Sequence, residues 1–291
     1  MNSYPRVLVG TVTHDGQGYA FDRFITALKN IDYPNYDIIV VDTSETDDYY
    51  EKLKQIEGIR VEKGIWTILY SARLSNALNM LRKHIVYGGD YYDYLFSIDS
   101  DVIVPPDILT KLVKHSKQLA GAPVPIGFHK TGIPCVLRST MMQREKTGGM
   151  RLDYMTWEEL GDKPTKVLAT GLGCLLIHRE VLKNVQFKNI VVLRWAPDVA
   201  FLIECVAKGF EFWCDPTIKV EHLQRRENWE NVVARQSKQI EGRFKEIIDN
   251  SDKLNKVEGS LKEIKGKLSS ALPEPRKQYD LVEEGKRYQI W

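Results

Sequence analysis

Cysteine is scarce in this sequence: four in 291 residues. Cys135, Cys174, Cys205 and Cys214 contain no C-x-x-C pair, so neither a zinc ribbon nor a thioredoxin-type redox motif is present. Small thiols buried in a reducing compartment are the expectation. Neither sign of charge is in excess. Lys and Arg total 41 against 39 Asp and Glu, which excludes a polyanion-binding surface over the whole molecule and makes nucleic acid an unexpected partner. Long hydrophobic runs are also missing. The longest, residues 167–177, is interrupted by two glycines and a threonine, whereas a membrane span needs about 20 apolar residues. A basic-then-apolar signal pattern is absent from the first residues, where the apolar stretch 7–9 is too short. A soluble, cytoplasmic protein follows as the expectation, at most peripheral to a membrane.

What is present is a core-forming composition, 43% hydrophobic, and an alternation of strand and helix signals. Residues 6–12 (RVLVGTV) read as a strand, 19–30 as a helix with Phe21, Phe24, Ile25 and Leu28 at helical spacing, and 37–41 (DIIVV) as a strand apolar on both faces. Residues 46–57 read as a helix closed by Gly58, 59–62 as a short strand, and 71–84 as an amphipathic helix on Leu74, Leu78 and Leu81. Residues 94–98 (YLFSI) give a fourth strand, and Pro105-Pro106 opens another helix. This order predicts an α/β fold with a mainly parallel, doubly wound sheet, whose ligands bind at the carboxyl ends of strands. Residues 127–165 have weak periodicity and read as a long loop near the site. Strand character returns over 167–177, 211–214 and 218–220, with a helix over 198–208.

From residue 227 the chain is charged and helical. Trp229, Val233, Ile240, Phe244 and Ile247 form one stripe, and Leu254, Val257, Leu261, Ile264 and Leu268 a second. The domain expectation is therefore a nucleotide-binding domain over 1–223 and a helical extension with its tail over 224–291. The extension is expected to pack on the main domain or on a second copy, giving a homo-oligomer.

The sharpest chemical feature is Asp99-Ser100-Asp101, directly after the fourth strand. Along a strand, side chains two apart point the same way, so two carboxylates would converge at the sheet edge. Close carboxylates repel unless a cation lies between them, and oxygen ligands suit Mg²⁺ or Mn²⁺, which also bind diphosphate oxygens. The bland alternative is a solvated acidic turn capping the next helix. Its position after an apolar strand within a β-α alternation favours the metal reading.

Four segments resemble the glycosyltransferases of the GT-A fold, close to family 2: residues 6–13 (RVLVGTVT), 33–44 (YPNYDIIVVDTS), 94–101 (YLFSIDSD) and 171–182 (GLGCLLIHREVL). Thr43 departs from the second Asp of the family's Y-P-x-Y-E-I-I-V-V-D-D-x-S. The resemblance covers about residues 5–223. It implies a GT-A, Rossmann-like nucleotide-binding fold, with Thr11 and Thr13 lining the base and ribose pocket. Asp42 would accept a hydrogen bond from the base, or else form a turn with Ser44. Arg73 would approach the nucleotide or its phosphates, or lie on a solvated helix face. Asp99 and Ser100 would meet the nucleotide, with Asp99 on the ribose and metal side and Asp101 the direct metal ligand.

The segment around Asp198 resembles the family's E-D-x-D-L helix, with Pro197 in place of the first acid and Ala200 in place of the later one. Asp198 would be the general base of an inverting transfer; the alternative is a helix cap. Glu204 on the same helix is secondary. His222, after a late strand, would add a metal ligand better suited to Mn²⁺ than to Mg²⁺, its alternative being a structural histidine.

The implied activity is sugar transfer from a UDP- or GDP-linked nucleotide-sugar to a sugar, lipid-linked or small-molecule acceptor, with Mn²⁺ (or Mg²⁺) and inversion favoured over retention. Two rivals are a non-catalytic nucleotide-sugar or glycan binder and a nucleotidyltransferase. The second would carry a Gly-rich basic loop after the first strand, and residues 13–18 (THDGQG) hold no Lys or Arg.

Overall fold

The computed structural model describes residues 4–126, 132–144, 150–188 and 197–223, and then residues 245, 249–251, 255, 258, 259 and 262. The chain divides into two compact units, 1–226 and 227–291. The described residues of the second unit are helical; the two apolar stripes expected there lie outside the described residues.

In the first unit an eight-stranded sheet forms the middle layer. Its amino-terminal half consists of β1 (Val7–Thr13), β2 (Tyr36–Asp42), β3 (Arg60–Lys63) and β4 (Tyr94–Ile98), all parallel, in the order β4-β1-β2-β3. Both faces of these strands are covered, which is why every residue of β4, Ser97 included, is buried. On one face pack α1 (Phe21–Lys29) and α2 (Asp48–Lys54), contributing Phe21, Phe24, Leu28 and Leu53. On the other lies α3 (Tyr70–Val86), whose Leu78, Leu81 and Ile85 are buried. Gly10 permits this approach: a Cβ there would lie 2.8 Å from Leu95 and 3.0 Å from Leu81.

After β4 a short strand, β5 (Val102–Ile103), leads to α4 (Ile108–Lys114), on the face of α1 and α2. β6 (Leu119–Gly121) joins the main sheet, and β7 (Pro125–Ile126) pairs with β8 (Ile133–Pro134). The expected loop over 127–165 is corrected here. It contains β8, β9 (Val136–Arg144), β10 (Met150–Tyr154) and α5 (Trp157–Leu160), the last with a complete capping box from Thr156 and Glu159. The hairpin β9-β10 was hidden because its strands are held by pairing with each other and with β12 (Ala169–Thr170), contacts that leave no local periodicity.

The single strand expected over 167–177 is three: β11 (Thr165–Val167), β12, and β13 (Cys174–His178) beyond the Gly171–Gly173 turn. β13 runs antiparallel between β4 and β6, so the sheet is mixed, though mainly parallel. α6 (Arg179–Asn184) and α7 (Pro197–Ala207) complete the layer containing α3, and β14 (Phe212–Cys214) pairs with β6 and β11. The strand expected at 218–220 lies one step later, at β15 (Glu221–His222), which pairs antiparallel with β5. Ile218 is instead a fully buried anchor.

Candidate active site

The parallel strands β1, β2 and β4 end at one edge, and the chemistry-bearing residues gather there. Asp99 follows β4 directly. The strand alternation expected across Asp99-Ser100-Asp101 is not what brings them together: the chain turns, and the Val102 amide donates to the Asp99 carbonyl at 3.0 Å. Ser100 is buried in that turn. The Asp101 main chain is pinned from the far end of the sequence, its carbonyl accepting from the Leu223 amide at 2.8 Å.

The β5–β15 pairing sets Asp101 beside His222, with Oδ1 3.4 Å from Nε2. His222 Nδ1 lies 2.8 Å from the Pro125 carbonyl oxygen. A carbonyl only accepts, so Nδ1 carries the proton and Nε2 is the nitrogen turned to Asp101. Burial lowers the pKa of His222, but the Asp101 carboxylate outweighs it and the net shift is upward.

Asp99 reaches solvent through the open top of the cleft, while the cleft walls desolvate it. That desolvation, followed by repulsion from Asp101 and Asp198, pushes its pKa up to about 7, with His222 opposing. Its Oδ2 lies where a side chain on residue 173 would be: a Cβ on Gly173 would sit 2.5 Å away. Asp198, in the first turn of α7, is raised by burial, against hydrogen bonds from its own amide and that of Val199. The Val199 bond is 2.8 Å. Three carboxylates thus crowd one cleft. Among the described residues, however, no three His, Cys, Asp or Glu side chains are disposed to close on one ion; the pair formed is Asp101 with His222.

Residues that the sequence reading passed over line the same cleft. Tyr70, half exposed at the start of α3, has its hydroxyl pKa raised by desolvation and then by Asp99 and Asp198. Cys135 feels Asp198 and Asp99 as well as burial, and its thiol is pushed up to about 12, so it stays protonated. Tyr19 donates to Asp101 Oδ2 at 3.0 Å. None of these contacts has a local sequence signature.

The other predicted residues lie along β1 and β2. Thr11 and Thr13 are 1% exposed, so their side chains back the strand rather than open into the cleft; the Thr11 hydroxyl lacks a hydrogen-bond partner among the described residues, and that of Thr13 lies beside the Tyr49 hydroxyl. Asp42 is fully buried. Its Oδ1 accepts from the Ser44 amide at 3.0 Å and from the Ser44 hydroxyl, and its Oδ2 from Lys63 Nζ at 2.9 Å. The turn with Ser44 is therefore present. The parallel pairing of β2 with β3 sets Lys63 opposite Asp42.

Arg73 is half-buried, stacks over Tyr70 with its guanidinium carbon 5.6 Å from the ring centroid, and has its pKa lowered by desolvation despite Tyr70, Asp15 and Glu45. Glu204 is drawn away from the cleft by Lys188 at 2.7 Å.

The fold, with a mainly parallel sheet whose strands end beside these carboxylates, is GT-A-like. Residues 19–132 match the family model described as Glycosyl transferase family 2. The structure is similar to the crystal structure of GalNAc-T7 with UDP, GalNAc and Mn²⁺ (TM-score 0.56, 14% identity, 78% of this chain and 45% of that one). It is also similar to S. aureus TarS 1-349 in complex with UDP-GlcNAc (TM-score 0.50, 12% identity, 77% and 60%). This chain thus spans less than two thirds of either. No curated protein matches at a comparable level. No helix among the described residues is long and apolar enough to cross a membrane.

Proposed function

We propose that this chain is a glycosyltransferase that moves a sugar from a nucleotide-diphosphate sugar to an acceptor hydroxyl with the help of a divalent cation. The observation that carries the reading is the crowding of Asp99, Asp101 and Asp198 beside His222 at the carboxyl edge of β4. A desolvated carboxylate that two neighbouring carboxylates repel, as Asp99 is, needs a cation or a proton to coexist with them, and the match to the family 2 model supplies the context. The carboxylate and imidazole of Asp101 and His222 fit Mn²⁺, and a cation of this type completes its shell with substrate phosphates rather than a protein cage. A set of two protein ligands with Asp99 nearby is therefore a fitting half-site. When bound, the cation supplies Lewis-acid stabilisation of charge on the leaving nucleoside diphosphate.

The chain's own residues supply the rest. Arg73, partly desolvated and without an ion-pair partner within 4 Å among the described residues, offers its guanidinium to the diphosphate or nucleotide. Asp42 and Lys63 hold the β2 end against the base side. Asp198, its pKa raised by burial, takes the proton of the attacking hydroxyl, which makes the transfer a single inverting displacement.

Incubation with UDP- and GDP-sugars and Mn²⁺, with release of free UDP and GDP assayed, tests the activity; UDP-sugars are the first donors to try, because GalNAc-T7 was crystallised with UDP and TarS with UDP-GlcNAc. NMR of the product's anomeric centre tests inversion, and retention would remove Asp198 as the base. Donor binding without turnover on any acceptor would leave a nucleotide-sugar-binding domain instead.

A further inference from the structure

Hydrogen bonds grip both Asp101 and His222 from behind. On the histidine side the Nδ1 proton goes to the Pro125 carbonyl. On the carboxylate side the Tyr19 hydroxyl donates to Oδ2 at 3.0 Å, and Oδ1 is the oxygen that faces His222 Nε2. Tyr19 comes from the connection between β1 and α1, 82 residues from Asp101. One helical turn on, Arg23 makes a bidentate contact to Glu221, with Nη1–Oε1 at 3.1 Å and Nη2–Oε2 at 2.7 Å. The start of α1 therefore reaches both β5 and β15 flanks of the pair, and of these two contacts the one from Tyr19 is made to a side chain of the pair itself.

We propose that Tyr19 is a positioning residue, whose hydroxyl fixes the Asp101 carboxylate so that Oδ1 and His222 Nε2 together face a divalent cation. The inference rests on the reading of Asp101 and His222 as metal ligands. An unrestrained carboxylate rotates about its Cβ–Cγ bond and can turn toward solvent. A hydroxyl held on one oxygen removes that freedom before the cation arrives, as outer hydrogen bonds do for metal-binding side chains generally. Tyr19 and Asp15 belong to the same connection at the β1 end, so the loop beside the nucleotide side of the cleft also sets the carboxylate.

The test is Mn²⁺ titration of the full chain in the presence of saturating UDP, followed by the electron-spin-resonance signal of free Mn²⁺, for wild type, Tyr19→Phe, Arg23→Ala and Asp101→Ala. Phenylalanine keeps the ring and removes only the hydroxyl. Tyr19→Phe should weaken Mn²⁺ binding about tenfold, at the lower end of outer-contact effects because the tyrosine is partly exposed. The KM for Mn²⁺ in sugar transfer should rise by the same factor, with kcat at saturating Mn²⁺ within about twofold. Arg23→Ala, which removes an exposed pair beside the site, should change Mn²⁺ binding by less than about twofold. Equal Mn²⁺ affinity in Tyr19→Phe and wild type, while Asp101→Ala loses it, overturns the role of Tyr19 alone. Equal losses in Tyr19→Phe and Arg23→Ala overturn it too, because general bracing of the strands then suffices. Unchanged affinity in Asp101→Ala sinks the metal reading beneath it.

Discussion

Asp42 and Asp99 occupy equivalent places at the carboxyl ends of two strands of one parallel array, β2 and β4, with β1 between them. Their surroundings are opposite. Asp42 is fully buried and saturated: Ser44 covers one oxygen and Lys63 the other. Asp99 has no such partner among the described residues: desolvation first, and then repulsion from Asp101 and Asp198, push its pKa up to about 7. A strand-end carboxylate thus becomes a structural pin when the next parallel strand ends in a lysine. It becomes a chemical group when the chain after it returns more carboxylates. The physical difference is whether the compensating charge is built in, as at Asp42, or has to be recruited.

The largest test of this contrast exchanges the two losses. Asp101→Ala is expected to abolish the Mn²⁺-dependent part of UDP or GDP binding in calorimetry, with the melting curve almost unchanged. Asp42→Ala is expected to keep a Mn²⁺-dependent increment but to lose roughly 3 kcal/mol of stability in urea, because Lys63 and Ser44 lose a buried acceptor. Equal nucleotide affinity with and without Mn²⁺ in the wild type would remove the distinction.

Next in size, Asp198→Asn is nearly isosteric. It should lower turnover at least about 10²-fold while leaving donor affinity in place. Loss of donor binding in that variant would instead assign Asp198 to the donor side.

Gly173→Ala comes third. The added methyl lies where Asp99 Oδ2 now sits, 2.5 Å from it, so the carboxylate must swing aside. A roughly tenfold loss of Mn²⁺-dependent nucleotide affinity is expected, and an unchanged affinity would show that the position of Asp99 is not critical.

The smallest effect is on metal-free stability. A carboxyl whose pKa is raised in the fold is favoured protonated there, so Asp99 takes stability away as pH rises from the ordinary carboxylate value of about 4 up to about 7. His222, raised in the fold, contributes stability at low pH that is likewise lost as pH rises through its folded pKa. In chelator, Tm should therefore fall between about pH 5 and pH 8, and Asp99→Asn should flatten that slope. An identical slope in the variant would show that Asp99 is not strained by its neighbours.

Sequence periodicity reached a long way into the amino-terminal half. β1, β2, β4, α1 and α3 could be read because each buries its own apolar pattern against a continuous core: both faces for the strands, one stripe for the helices. Asp99 and Asp101 were visible for the same reason, as acidic residues directly after a fully buried, mainly apolar strand. The carboxyl-terminal half was read less well. β9 and β10 pair mainly with each other, the 167–177 run breaks at the Gly171–Gly173 turn, and the short strand ends at β15 rather than at 218–220. There, pairing across large sequence separations outweighs local propensity.

By itself, then, the sequence determined the parallel α/β half, the acidic turn after β4 and the candidacy of Asp198 and His222, since all of these follow from local pattern or motif. Tertiary structure alone decided which groups meet. It turned the Asp99-Ser100-Asp101 segment out of strand geometry, set His222 3.4 Å from Asp101 through a two-residue strand pairing, and delivered Tyr19 onto the same carboxylate. It also gave Asp42 to Lys63 and so withdrew it from the open cleft. Contacts of this kind are fixed by where buried strands end relative to one another, and no local pattern in the chain encodes that distance.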